Sequence, residues 1–309
     1  MDSQKTKTRV AALSVASNTT LVVLKLVVGI MIGSVSVISE AIHSGLDLMA
    51  ALIAYFAVQA SGKQPDEDHR YGHGKFENVS GTLEAILIFI AAIWIIWEAW
   101  KKFLLPEEVG SAGLGVAVML FGCIVNIVVS QMLFTVARKT DSVALEADAW
   151  HLRTDVYTSA SVVVGLSVIW AGQRLWPEHD LRWVDPVAAI AVALLILHAA
   201  YRLLRDAARD LFDASLPPDE VEWIEQYLVD ATQPVGRFHK LRTRKSGATR
   251  FVDLHLLVCP HMTVDQSHAI TDEVSQGIRD KFPGTSVTVH VEPYTGDSDQ
   301  PCWSDCPFR

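Results

Sequence analysis

The chain has 309 residues, half of them hydrophobic, with a net charge of −9 and a mean hydropathy of +0.26. So apolar a composition is that of a membrane protein, and the acidic balance excludes the basic footprint of a nucleic-acid binder while suiting a handler of cations. The apolar residues concentrate before Asp213, and the remainder alternates charged and apolar positions as a water-soluble domain does.

Met1 to Arg9 is polar and basic and runs straight into an apolar stretch beginning at Val10. That stretch is long enough to span, so no cleavable signal is expected and the N-terminus is placed in the cytoplasm. Six segments reach the roughly 20 residues that a helix needs to cross the hydrocarbon. They fall at Val10 to Met31, Val37 to Ala60, Val79 to Trp100, Gly113 to Val136, Ala144 to Ala171 and Pro186 to Leu204. Asp185 before Pro186 predicts an N-cap and a helix start.

Most basic residues outside these spans, among them Lys5, Lys7, Arg9, Lys63, Arg138 and Arg209, fall on one side of a six-pass chain, against Lys101, Lys102, Arg174 and Arg182 on the other. The richer side is cytoplasmic by the positive-inside rule, which places both termini inside a multi-pass protein of the cell inner (plasma) membrane. Trp94, Trp97, Trp100, Trp176 and Trp183 then collect at the outer interface, where amphipathic rings sit best.

Beyond Leu216-Pro217-Pro218 the pattern predicts a helix over Asp219 to Thr232, strands over Phe238 to Arg244 and Arg250 to Val258, a helix over Val264 to Phe282 and a strand over Ser286 to Val291. The expected fold is therefore an α-helical membrane protein, with six transmembrane helices followed by a cytoplasmic α+β domain of ferredoxin-like αββαβ order. Its domains are 1–213 in the membrane, 214–295 as the cytoplasmic unit and 296–309 as a polar, mobile tail. Cys123, Cys259, Cys302 and Cys306 form no paired extracellular framework and read as reduced thiols. His261 beside Cys259, and Cys302-x-x-x-Cys306, have soft-metal chemistry but are not counted as a site.

Two apolar spans carry the same spacing, His43-x-x-x-Asp47 and His151-x-x-x-Asp155. Each puts an imidazole and a carboxylate one turn apart on one helical face, where ionisable groups are costly. Two His and two Asp suit a tetrahedral divalent ion: the carboxylates neutralise its charge and the nitrogens favour zinc and its neighbours. The structural alternative pairs each carboxylate with a buried base, for which Lys25 and Arg153 are the candidates. Because a ligating imidazole must shed its proton, metal and protons compete for these atoms, which suffices for exchange of one against the other. Glu40, Glu84, Asn126, Gln131 and Asp148 can line an ion path, but read first as interhelical hydrogen-bonding groups. His198 has no partner at ligand spacing and reads as structural.

The loop between the second and third spans reads Pro65-Asp66-Glu67-Asp68-His69-Arg70-Tyr71-Gly72-His73-Gly74-Lys75-Phe76-Glu77. With the two His-to-Asp pairs, the six spans and the α+β tail, it resembles the cation diffusion facilitator family of metal exporters over about residues 9 to 293. The likeness is to the bacterial iron and zinc efflux type. The resemblance implies a homodimer that exchanges cytoplasmic metal for protons by alternating access, with its transport site at His43, Asp47, His151 and Asp155. Some members with this loop have Asp at the first position, and His43 resembles the zinc-preferring branch. It further implies a loop metal site at Asp66, His69 and His73, for which the alternative is a solvated loop near lipid headgroups. Lys75 and Asp213 match an interdomain salt bridge, for which the alternative is an exposed pair of small value.

In the tail domain the resemblance implies a dinuclear zinc site at the dimer interface built by His239, His255, His268 and His290. Glu292 stands at the bridging position where the family pattern has Asp. The alternative is four ordinary half-buried histidines. The resulting expectation is a proton-coupled zinc antiporter and not an enzyme, with Zn2+ as substrate and structural or regulatory ion. Its partners are a second copy, divalent metal, protons and the lipid bilayer. Cadmium, cobalt, iron or manganese are the alternative cargoes. A membrane-anchored metal sensor and an intramembrane metallohydrolase are the alternative classes, the latter lacking an HExxH arrangement.

Overall fold

The computed structural model describes residues 2–33, 35–104, 113–175, 183–232 and 236–294. The expected tail beyond 295 lies outside them. The chain divides into two compact units, Met1–Ala208 and Arg209–Arg309.

The first unit is built from six long helices: α1 (Asp2–Ile32), α2 (Val35–Ser61), α3 (Lys75–Leu104), α4 (Gly113–Thr140), α5 (Val143–Leu175) and α6 (Val184–Leu211). Each contains one expected span and overruns it with polar turns, as where α3 starts at Lys75 and α6 continues through Arg202, Arg205 and Arg209. Apolarity marks only the part of a helix that lipid surrounds, whereas Lys, Arg and Glu prolong a helix once it is nucleated. α6 begins before Asp185, so Asp185 is not its N-cap and Pro186 sits in the first turn. Proline is tolerated there because first-turn amides have no intrahelical acceptor.

Five of the six, all but α5, are long and apolar enough to cross a membrane. α5 has the length but carries Glu146, Asp148, His151, Arg153 and Asp155 in its first half. Apolar side chains such as Ile30, Met31, Leu46, Trp94 and Leu195 are exposed around the bundle, a surface suited to lipid and not to water.

Inside, the packing is dominated by small residues. Ala11, Ala57, Ala137, Ala144 and Ala149 meet Leu133, Leu145 and Leu152 among α1, α2, α4 and α5. Ala85, Ala92, Ala147 and Ala200 meet Ile88 and Ile196 among α3, α5 and α6. Without a hydrophobic drive between helices in lipid, close backbone approach supplies the attraction. Gly81 marks one such approach, since a Cβ there would lie 2.7 Å from Val143 Cγ1.

The buried stripe of α1 is unusual for a span. Lys7, Ala11, Ser14, Asn18, Leu21 and Lys25 recur at alternating spacings of four and three, so they share one face, and all six are buried. Lys7, an orientation charge in the sequence reading, is interior: its Nζ donates to Glu77 Oε1 at 2.6 Å. Glu77 also accepts from Ser61 Oγ at 2.7 Å and, through its other oxygen, from Ser142 Oγ. One carboxylate thus joins α1, α2, α3 and the residue preceding α5.

The second unit runs α7 (Pro218–Thr232), β1 (Gly236–Ser246), β2 (Thr249–Val258), α8 (Val264–Lys281) and β3 (Ser286–Pro293). This is the expected αββαβ order. The sheet order is β1-β2-β3, antiparallel between the first pair and parallel between the second. Val252 and Leu254 of β2 and Val287 and Val289 of β3 pack with Ile224 and Leu228 of α7 and Val274 and Ile278 of α8. Both helices therefore cover one sheet face and leave the other open. Thr263 and Gln266 form a reciprocal capping box that fixes the start of α8. Cys259, at the end of β2, is disulfide-bonded and not the reduced thiol expected.

Because the Lys7–Glu77 pair is buried, Lys7→Ala leaves an unpaired carboxylate and is expected to destabilise the protein by about 3–5 kcal/mol. Lys7→Met combined with Glu77→Leu is expected to recover most of that loss. Thermal unfolding of the detergent-solubilised protein measures both, and equal losses in the single and double variants would refute the pairing.

Candidate metal centres

α2 supplies His43 and Asp47, and α5 supplies His151 and Asp155. The ligand atoms of His43, Asp47 and Asp155 lie within 4.8 Å of one another, and His151 Nε2 is 3.1 Å from Asp47 Oδ1. The structure thus gathers all four side chains. Tetrahedral bonds of about 2.0–2.2 Å set ligand atoms about 3.3–3.6 Å apart, between these two distances, so modest side-chain rotation would form the site.

The two bases proposed as structural partners are engaged elsewhere. Lys25 Nζ donates to Glu40 Oε1 at 3.0 Å and to Ser44 Oγ at 2.6 Å, and Arg153 Nη2 donates to Gln131 Oε1 at 3.0 Å. Asp155 Oδ2 is buried and has no hydrogen-bond partner among the described residues. An orphaned carboxylate oxygen beside two imidazoles and a second carboxylate has the chemistry of a cation site.

The loop residues Asp66, His69 and His73 form a second group whose ligand atoms lie within 4.8 Å. The chain makes turns here and not a helix, and Gly72, at φ +81°, supplies a left-handed step that a side chain would resist. Asp66 Oδ1 accepts from the His69 amide at 2.7 Å, and Asp66 Oδ2 is 3.2 Å from His73 Nε2. That amide bond, joined by the neighbouring imidazoles and opposed by desolvation, holds the Asp66 carboxyl below its ordinary pKa. His73 is buried, and its Nδ1 has no partner among the described residues. At the end of this loop Lys75 begins α3, while Asp213 belongs to the other unit, where it lies 3.4 Å from Arg244.

In the second unit, strand register builds the site. His239 stands opposite His255 across β1 and β2, and His255 opposite His290 across β2 and β3. The three form a row on the open sheet face. Glu292 lies two residues after His290, hence on the same face. Its Oε2 is 2.9 Å from His239 Nε2 and its Oε1 is 2.8 Å from His255 Nδ1, while His290 Nε2 is 3.6 Å away. The longer Glu side chain therefore reaches two imidazoles from the third strand. His239, His255 and Glu292 fit a zinc ion as two nitrogen ligands and a carboxylate, and a bound ion would cross-link all three strands.

His268 is not brought to this row within one chain. It is exposed on α8, which covers the opposite sheet face, and its Nε2 is 3.6 Å from Asp272 one turn along. Three polar clusters were not assembled by the sequence reading, which noted Lys25, Glu40, Glu84 and Asp148 singly and counted Lys7 as an orientation charge: Lys7 with Glu77, Lys25 with Glu40, and the groups around Asp148. The alternating spacing along α1 could have revealed them, since it is visible in the residues themselves.

Hydrogen bonds first from His255 and then from His239 hold the Glu292 carboxyl below its ordinary pKa, against a smaller desolvation effect. The folded state then binds fewer protons than the unfolded one in acid. The stabilisation is complete above the unfolded value of about 4.3 and is lost as pH falls through the depressed folded value. In metal-free protein, Glu292→Gln is expected to flatten the acid limb of a thermal-stability profile against pH. An unchanged limb would refute the bridging contact.

The geometry agrees with comparisons to known proteins. Residues 11–212 match the cation efflux transmembrane domain, and residues 216–294 match the cation efflux protein cytoplasmic domain. An uncharacterized transporter of Synechocystis sp. is 33% identical over 283 residues, covering 92% of this chain and 89% of that protein. The cation-efflux pump FieF of Klebsiella pneumoniae is 31% identical over 285 residues, covering 92% of each. A solved structure of CzrB in its Zn form is 36% identical over 26% of this chain and 90% of that one, with a TM-score of 0.25. The chain belongs to the cation diffusion facilitator family of cation efflux transporters, membrane proteins that move metal and are not enzymes.

Proposed function

We propose that this protein is a proton-coupled zinc exporter of the inner membrane, using His43, Asp47, His151 and Asp155 as the transport site. The observation that carries the reading is the 3.1 Å contact between His151 Nε2 and Asp47 Oδ1. Such a contact holds a proton between two atoms that a metal ion would also use, so loading the ion expels a proton and returning protons expel the ion. The two carboxylates match the charge of a divalent ion. Alternating access then moves a nearly neutral site, which keeps the electrostatic cost of crossing the apolar region low.

The zinc preference rests on the imidazoles, which nitrogen-accepting borderline metals favour over the all-oxygen coordination that suits manganese. Cadmium and cobalt accept the same ligands, and their order relative to zinc is set by the flux series below. Both termini lie in the cytoplasm in this reading, and two copies of the chain associate through the tail domains. The His239–His255–Glu292 site stabilises that domain, His268 and His290 complete it in the dimer, and Asp66, His69 and His73 bind a further ion in the loop.

In sealed proteoliposomes an imposed pH gradient is expected to drive zinc flux, and Asp155→Ala is expected to abolish it while leaving metal binding to the tail domain intact. Flux indifferent to the gradient would overturn the antiport. In a metal series, His43→Asp is expected to lower zinc flux relative to manganese and iron, and a wild type that already prefers manganese or iron would overturn the zinc assignment.

A further inference from the structure

Asp148 lies three residues before His151 and seven before Asp155, so the three share one face of α5. At 1.5 Å per residue, Asp148 stands about 10 Å along the helix from Asp155. It is fully buried, and neither of its carboxylate oxygens has a hydrogen-bond partner among the described residues. Glu84, on α3, is fully buried as well. Its Oε1 accepts from Ser80 Oγ at 3.1 Å, while its Oε2 has no partner among the described residues.

The two carboxyl groups are near enough to interact electrostatically, and Ser14 of α1 approaches Asp148. Ser14 Oγ and Asn18 Nδ2, on the buried stripe of α1, lack partners among the described residues too. If these groups served interhelical hydrogen bonding, their oxygens would be bonded to one another or to neighbouring helices. Instead Asp148, within reach of Ser14 and Glu84, and Glu84 Oε2 keep buried oxygens with no hydrogen-bond partner among the described residues.

The bases on the same stripe are committed elsewhere. Lys7, seven residues before Ser14, is bonded to Glu77, and Lys25, seven residues after Asn18, is bonded to Glu40 and Ser44. Seven residues is about 10 Å of helix. His151 acts electrostatically on both carboxyl groups but is bonded to Asp47, and two buried carboxylates within electrostatic reach of each other are costly unless a cation joins them or a proton neutralises them.

We propose that Asp148 and Glu84, with the Ser14 hydroxyl, form a second divalent-cation site inside the helix bundle, an oxygen-only waypoint on the approach to the His–Asp site. It rests on the reading of His43, Asp47, His151 and Asp155 as the transport site. Oxygen donors alone hold zinc less tightly than a site with imidazoles and accept harder ions such as manganese. An ion entering past Glu77 meets the permissive site first and the nitrogen-containing site second. Selectivity stays with the second, while the first supplies charge compensation along the route.

The test uses Mn2+ alone as the probe, on the full-length protein. The Asp47→Ala/Asp155→Ala variant lacks the transport site, and equilibrium dialysis gives the number of Mn2+ ions bound per chain. Adding Asp148→Asn and Glu84→Gln is expected to lower that number by one, because the loop and tail sites are common to both proteins. An unchanged number overturns the waypoint, including the outcome in which Asp148→Asn shifts only the pH profile of transport, which would mark a proton site. Should the fourfold variant fail to fold, anomalous scattering from Mn2+ bound to the wild-type protein decides, by density between Asp148 and Glu84 or its absence. In proteoliposomes, Asp148→Asn is expected to raise the zinc concentration for half-maximal flux about tenfold, the loss of one charged ligand contact. The transport-site reading fails separately, if Asp155→Ala still moves zinc.

Discussion

The interior of the helix bundle is arranged by one constraint: an ionisable side chain removed from water must find a partner or give up its charge. Lipid offers none, so the partners have to come from neighbouring helices. The structure meets this demand in three different ways. Lys7 and Glu77 satisfy each other as a direct pair. Lys25 is satisfied by Glu40 and Ser44. Asp47 and His151 share a hydrogen bond, while Asp155 keeps an oxygen to spare. Groups that are fully paired hold helices together, and an unpaired carboxylate oxygen keeps the capacity to bind a cation.

The same constraint explains why α5, alone of the six helices, has no long charge-poor apolar window among the described residues, although it stands among the others. Its first half places Asp148, His151 and Asp155 on one face, and Ala144, Leu145, Ala149 and Leu152 pack against α1, α2 and α4. A wholly apolar α5 would pack as well but would bring no ionisable side chains into the bundle. The small residues around it let neighbouring helices come close enough for short side chains to meet. Gly81 against Val143 does this between α3 and α5, and the Ser142 bond to Glu77 forms at the same end.

Much of this was legible in the sequence. Hydropathy located all six helices, period-two alternation located the three strands, and the repeated His-to-Asp spacing pointed to residues that α2 and α5 bring together. The errors lie where local pattern competes with something non-local. Helix ends run past the apolar segments because helix propensity, not hydropathy, decides them. Asp185 looked like a cap because a cap and a first-turn position differ by only two residues around a proline. Lys7 looked like a surface charge because its partner is 70 residues away. His268 belongs with the other tail histidines by resemblance, but within a single chain α8 and the histidine row occupy opposite faces of the sheet.

The two best-formed His–carboxylate sites differ in a way that bears on what each can do. In the tail domain His239, His255 and Glu292 come from three strands of one sheet, whose ladder hydrogen bonds fix their spacing. Ligands held in this way can bind an ion but have no easy route to release it by moving apart. In the membrane unit the ligands come as one pair from α2 and one pair from α5. Within each pair the spacing is fixed by a helical turn, while the distance between pairs depends only on side-chain packing. A shift of α2 against α5 would change both contacts between the pairs at once, and packed helices slide more readily than paired strands. A site divided evenly between two rigid halves is therefore suited to taking up an ion on one side and giving it up on the other, and a site built across one sheet is suited to keeping it.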